Sequence, residues 1–568
     1  MVRGLIGATV LAAAAALAGA GHAHAASKRP APARPDVAVT AVDAPRSVTA
    51  GTPFQVDVTL RERSGRAPAQ AVVSVSGAAE PASAPAVRVA PGGQKHVLLS
   101  VTVPTAGTST IMVRAGVARD AAAANNAATR IVAATDFVLW STRVLVDSFA
   151  GYGAQFNQNV YSALSRAAGV DDANVGDMEG KVTALGPQFV RLFFHRSAFW
   201  DADRMQSFVR AAQLAQRAGA TIDVTWQTSA GSDLDVEITR FGHLLSDLVL
   251  NRGVTNLRWA TLQNEVNSTR VSMETYDHLY RVLDAALAVD GVRDRIRFMG
   301  GDLVAQPSPL GQTQNDWLRF LGARMSDILD AYSIHVYWDF WSPEKIERRL
   351  TEVRQIVDAL PAEQRRPLYI TEFGARGHRD PGDAGPGTFD GGAPLGNTNA
   401  NAFQHAWLDV LAPRLGFAGA VKWDAYFGRY DAKPQAYTMI GPPQEGWPLR
   451  PVYNLTRLFT ATTRPGWKAV AVDGAKGPRL VTAFAGPQGE LTLVGLDTQG
   501  ALLNTTSATV STYTIGGLPP AATFRLQLWN ADGTGTLAAP LAVTSDASGV
   551  IRIGAPLQCV FALTTLPL

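Results

Sequence analysis

The 568 residues include one cysteine, Cys559, so no internal disulfide can form. A lone thiol beside the last strand pattern reads as a small buried hydrophobe. Charged residues are sparse at 17%, and 51 basic against 48 acidic residues leave a net charge of +3. Long basic runs are missing, so nucleic-acid binding has no electrostatic footprint. Beyond the first 25 residues no apolar run approaches about 18 residues, so no transmembrane segment is expected. The nine histidines make no His-x-His outside those first residues and no His-Glu-x-x-His, which argues against a catalytic metal. Gly-x-Ser-x-Gly is absent, and no Gly-rich phosphate loop or other cofactor fingerprint occurs. No cofactor and no metal are therefore expected.

Hydrophobic residues make up an ordinary 46%, while 52 glycines and 33 prolines indicate many loops. Length suggests roughly three to four domains. Residues 1–25 read as a secretory signal: Arg3, an Ala-rich apolar stretch over residues 5–17, then Ala23-His24-Ala25 as a small-x-small cleavage site. Secretion, extracellular or periplasmic, follows from that leader. Residues 26–35 (ASKRPAPARP) are a Pro/Ala linker. Over residues 36–134 apolar residues recur with period two, as in Val56-Val58-Leu60 and Val97-Leu99-Val101-Val103, with turn signals such as Pro91-Gly92-Gly93 between. That pattern predicts a β-sandwich.

Residues 136–462 alternate strands with amphipathic helices. Strand candidates fall at 149–156, 189–194, 221–226, 257–262, 296–299, 331–336, 368–371 and 418–422. One helical face carries Met205, Phe208, Ala212 and Ala215; another Met273, Tyr276, Tyr280, Leu283 and Leu287. A third carries Ile346, Leu350, Val353, Val357 and Leu360, entered through Ser342-Pro343 and ended by Pro361. Eight such units predict a (β/α)8 barrel, whose strand ends converge on one functional face. Residues 466–568 return to strand patterns and read as a C-terminal β-sandwich packed on the barrel. The chain is thus expected to be multidomain: sandwich, barrel, sandwich.

Two barrel strands end in an acid. The fourth runs into Asn264-Glu265, and the seventh, 367-PLYITEFGAR-376, into Glu372. Here the sequence resembles the (β/α)8-barrel clan of retaining glycoside hydrolases with acid/base on strand four and nucleophile on strand seven. Families five and thirty-nine look nearest. The resemblance covers the barrel and implies Glu265 as general acid/base and Glu372 as nucleophile. Arg191, in 189-FVRLFF-194, resembles the clan's arginine beside the nucleophile, and His335-Val336-Tyr337 resembles the His-x-Tyr of family five. The usual Asn-Glu-Pro is Asn264-Glu265-Val266 here, which weakens assignment to one family. The 125-NNAATRIV-132 stretch resembles bacterial adhesion-type Ig-like modules. It reads as a spacer, with contact to a cell wall or glycan as the sharper alternative.

A nucleophilic carboxylate needs a cation and donors nearby, which Arg191 and Tyr337 could supply. A general acid needs a raised pKa, expected for Glu265 from burial and the charge of Glu372. Retention requires the two carboxyls about 5–5.5 Å apart. Asn264 suits a sugar 2-hydroxyl, and Trp423 a sugar's apolar face. Trp226 and Trp338, at strand ends, are further candidate sugar contacts, as are Phe199, Trp200, Phe340, Trp341, Tyr426, Phe427, Tyr430, Tyr437 and Trp447 in loops. The Gly-rich stretch over residues 376–397 reads as a wall or lid of the cleft. A poly- or oligosaccharide with β-linkages is the expected substrate. A non-catalytic carbohydrate-binding protein on a barrel scaffold and a transglycosylase stay open as alternatives.

Overall fold

The computed structural model describes residues 33–77, 79–227, 233–339, 341–376, 395–429, 438–474, 477–501 and 508–568. The leader, most of the linker, most of the Gly-rich stretch after the seventh barrel strand, Phe340, Tyr430 and Tyr437 lie outside them. No helix among the described residues is long and apolar enough to cross a membrane.

Strands Val37–Asp43, Phe54–Glu62 and Gln94–Val101 form one N-terminal sheet. A second contains Ser47–Thr49, Ala127–Thr135, Gly107–Val117 and Ala69–Gly77. The two share one core, in which Val56, Val58 and Leu60 meet Val73, Ile111 and Val113. Period-two alternation creates that core, because every second side chain of a strand faces the same way.

At the centre, eight parallel strands close into a barrel in sequence order. They are Tyr152–Phe156, Phe189–His195, Thr221–Gln227, Leu257–Leu262, Arg297–Leu303, Ala331–Trp338, Leu368–Ala375 and Phe417–Lys422. The intervening helices bury the faces their spacing marks: Phe208, Ala212 and Ala215; Tyr276, Leu283 and Leu287; Leu350, Val353 and Val357. Asp201, Ser272 and Thr313 cap three of these helices with side-chain oxygens.

The fifth strand runs four residues beyond its apolar pattern, through Gly300-Gly301-Asp302 to Leu303. Gly-Gly looks like a break in sequence. Here it permits close approach, since a Cβ on Gly301 would sit 2.4 Å from the Ser333 carbonyl oxygen of the sixth strand.

The strand Phe137–Phe149 corrects the expected barrel boundary at residue 136. It pairs antiparallel with Trp467–Gly474 and parallel with Val510–Gly516, as part of the C-terminal sheet. Alternation marks a strand but cannot name a partner some 330 residues away. That sheet has nine strands in one hydrogen-bonded order among the described residues. Tyr513 and Phe561 lie five strands apart in that order, yet their rings are 4.8 Å apart, so the sheet folds over on itself. Its other face joins the barrel core through Trp467, Phe484, Val494 and Trp529. Helix Asn399–Arg414, buried over nearly its whole surface, lies between the barrel and this sheet. Cys559 is buried in the core inside the folded sheet, with Tyr513 and Phe561.

Replacing Gly153 by alanine should be severe, because the new Cβ would stand 1.6 Å from the Phe189 carbonyl oxygen between the first two barrel strands. A loss of about 3 kcal/mol is expected from the urea midpoint at unchanged m-value.

Candidate active site

The fourth strand stops at Leu262, and the chain then turns through two left-handed residues, Gln263 at φ 62° and Glu265 at φ 49°. Non-glycine residues there carry backbone strain that persists only where surrounding structure holds them. The turn is held: the Glu265 carbonyl accepts from the Ser268 backbone N–H at 2.7 Å, and Val266 is fully buried. Valine in place of proline therefore fills core. Glu372 lies inside the seventh strand, 7% exposed, with its side chain directed to the barrel centre.

Arg191 connects these positions from complete burial. Its Nη1 donates to Glu372 Oε2 at 2.7 Å and its Nη2 to Asn264 Oδ1 at 2.7 Å. Nη2 also donates to Asp302, and Nε to Thr225 Oγ1 at 2.9 Å. The Tyr337 hydroxyl donates to Glu372 Oε1 at 2.6 Å. Both oxygens of Glu372 thus face donors, one of them a cation.

His335 stands between three acids. Its Nδ1 is 3.1 Å from Glu265 Oε1 and 4.0 Å from Glu372 Oε2, and its Nε2 is 3.5 Å from Asp302 Oδ1. Burial opposes charge on the ring, but the carboxylates of Glu372 and Asp302 and the hydrogen bond to Glu265 outweigh it. The imidazole is pushed up to about 9 and is cationic at neutral pH. Glu265 departs from expectation as a consequence. Burial raises its pKa, but the His335 hydrogen bond and charge, with the Arg191 charge, win and hold it below the ordinary value. The expected raised pKa of Glu265 is therefore not found.

Asp302 was missing from the sequence-based candidates. It is fully buried and left-handed at φ 50°. It accepts from Thr371 Oγ1 at 2.5 Å and Ser333 Oγ at 2.9 Å as well as from Arg191. Burial raises its pKa, and the charges of Arg191 and His335 bring it well below the usual carboxylate range. Asp223, behind it, goes the other way: burial and the Asp302 charge push it up to about 7. A polar residue at every second position of an apolar strand, as in Asp223-Val224-Thr225, was the available signal.

A cleft of about 300 Å³ opens over this group. Glu265, His335, Tyr337, Glu372 and Trp423 line it, with Gln306, Arg349 and Arg376. The Trp423 ring lies 5.7 Å from that of Phe193. Two candidates are corrected. Trp226 is fully buried in the core, because its neighbour Thr225 takes the inward direction to bond Arg191. Trp338, beside inward-facing Tyr337, turns outward and donates its indole N–H to Gln404 on helix Asn399–Arg414 at 2.8 Å. Among the loop aromatics, Tyr426, Phe427 and Trp447 are buried, and Trp200 is 64% exposed.

Among the described residues, one donor atom each from Glu265, His335 and Glu372 lies within 4.8 Å of the others. His335 Nδ1 lies at hydrogen-bond distance from Glu265, and Arg191 donates to Glu372.

The (β/α)8 fold is shared with known proteins. The chain superposes on the catalytic domain of a family-30 xylanase C from Talaromyces cellulolyticus at TM-score 0.54 and 11% identity, covering 76% of this chain and 100% of that one. An α-L-arabinofuranosidase from Thermotoga maritima gives 0.53 and 12%, with 76% and 100% covered. A family-51 α-L-arabinofuranosidase from Thermotoga petrophila gives 0.54 and 12%, with the same coverage. Identities this low carry the fold alone. No protein-family model and no curated protein matches the sequence.

Asp302→Asn should lower the His335 pKa from about 9, because one of the charges raising it is removed. An NMR titration of the ring reads this. Asp302→Ala should cost about 3 kcal/mol in chemical denaturation, since it leaves part of a buried cation unpaired.

Proposed function

We propose that the chain is a secreted retaining glycoside hydrolase that cleaves β-linked glycosidic bonds in a poly- or oligosaccharide. One observation carries the reading: carboxyl oxygens of Glu265 and Glu372 lie within 4.8 Å of each other across the cleft. Double displacement needs carboxyls about 5–5.5 Å apart, whereas inversion needs about 6.5–9.5 Å to admit a water. The names of the fold neighbours agree with glycoside hydrolysis and not with one linkage, since two of them are α-L-arabinofuranosidases.

In this reading Glu372 attacks the anomeric carbon, paired with Arg191 and oriented by Tyr337. The bond to the leaving oxygen breaks as that oxygen takes a proton from Glu265. The resting proton sits on His335. A sugar in the cleft excludes water from Glu265, burial raises its carboxyl, and the proton crosses from Nδ1 over 3.1 Å. Glu265 then takes a proton from water, whose oxygen displaces Glu372 from the anomeric carbon. Asn264, its amide oxygen engaged by Arg191, presents its NH2 to the sugar 2-hydroxyl. Trp423 supplies the apolar platform. The N-terminal module, assigned as an Ig-like sandwich, is a spacer.

Glu372→Gln should lower kcat on the order of a hundred-thousand-fold, and Glu265→Gln about a hundred- to ten-thousand-fold. Both variants should stay folded by circular dichroism. Near-normal turnover by either removes that residue from the mechanism, and a first-formed product of inverted anomeric configuration by NMR removes the double displacement.

The pair's proton also sets the pH profile. His335 is raised, so its charge is complete below its ordinary value and is lost as pH rises through about 9. kcat/KM should therefore fall through about pH 9, and His335→Asn should move that limb to lower pH. An unmoved limb contradicts the proton store.

A further inference from the structure

One wall of the cleft holds a cation that forms no ion pair among the described residues. Arg349 lies on helix Pro343–Asp358, which follows the sixth barrel strand. Its Nη2 donates only to neutral oxygens, the His335 carbonyl at 3.2 Å and Gln314 Oε1 at 3.5 Å. Its Nε is buried and has no partner among the described residues. Glu352, one turn further along the helix, shares an adjoining pocket of about 180 Å³ with Arg349 but forms no ion pair with it. Burial lowers the guanidinium to about 10, and no acid opposes that shift.

The other arginines of the site differ. Arg191 is matched by Glu372 and Asp302, and Arg376, at the cleft, pairs with Asp339 at 3.2 Å. A largely buried charge with no counter-ion destabilises a fold. Its place is also specific: the His335 carbonyl anchors the guanidinium in the same cleft as Glu265 and Glu372. A guanidinium fork in a partly dry cleft suits a planar or tetrahedral oxyanion, bonded through two oxygens.

We propose that Arg349 recognises an anionic substituent on the substrate, so that the glycan this cleft takes carries oxyanions on its sugars. The chemistry has two sources, the carboxylate of a uronic acid and a sulfate ester. The proposal rests on the glycosidase reading for its substrate class, and its test separates the two.

The test uses the full chain and matched polysaccharides: uronic-acid polymers before and after carboxyl reduction, and sulfated polymers before and after desulfation. Cleavage is read as kcat/KM and binding by calorimetry. The acidic member of at least one pair should be preferred, and which pair responds identifies the oxyanion. Arg349→Ala should lower the acidic-to-neutral ratio on the order of a hundredfold. Arg349→Lys should recover part of it, which a packing role would not produce. Arg349→Met, of similar length, serves if the alanine variant does not fold. Neutral members preferred by the wild type, no binding to any acidic member, or a ratio unmoved in a folded variant each overturn the proposal. Preferential binding of acidic glycans without cleavage supports Arg349 and defeats the hydrolase, while cleavage confined to neutral glycans does the reverse.

Discussion

A single guanidinium organises the barrel's functional end. Arg191, on the second strand, bonds side chains from the third and seventh strands, from the turn after the fourth and from the end of the fifth. Its fork is planar and its donors point in fixed directions, so each partner has little freedom of position. Burying such a charge is costly in isolation, and two carboxylates offset the cost. The left-handed turns at Glu265 and Asp302 belong to the same constraint. Both residues occupy backbone regions they would avoid alone, within a network that fixes their side chains.

The second cation, His335, decides where protons reside. Its Nδ1 faces Glu265 and Glu372 and its Nε2 faces Asp302, and its charge answers all three. An acid beside a cationic histidine is ionised at rest, so the proton for a leaving group is stored next to Glu265. Arg349 is the contrast. It borders the same cleft and has only neutral partners among the described residues, which is how a group that meets its counter-ion in a ligand would stand.

The strands of the barrel were largely legible, because parallel strands covered by helices read as short apolar runs with helical periods between. Errors clustered where a polar or glycine residue stood in a strand. The fifth strand was cut short at Gly300-Gly301, and Asp302 was lost with it. Helix Asn399–Arg414 offers no apolar stripe, because barrel and sheet enclose it on all sides. The strand Phe137–Phe149 looked like the approach to the barrel and belongs to a sheet completed by the last hundred residues.

Local pattern by itself determined the alternation of elements, the fourth strand's run toward Glu265, and the shared face of His335 and Tyr337, since side-chain direction along a strand follows its period of two; the seventh strand runs on past Glu372 to Ala375. Tertiary structure alone decided which aromatics face the cleft, removing Trp226 and Trp338 and keeping Trp423. It also decided the charges. A carboxyl's proton depends on what stands within a few ångströms, and the groups around Glu265 come from residues as far apart in the chain as Arg191 and His335. No window of sequence contains that neighbourhood.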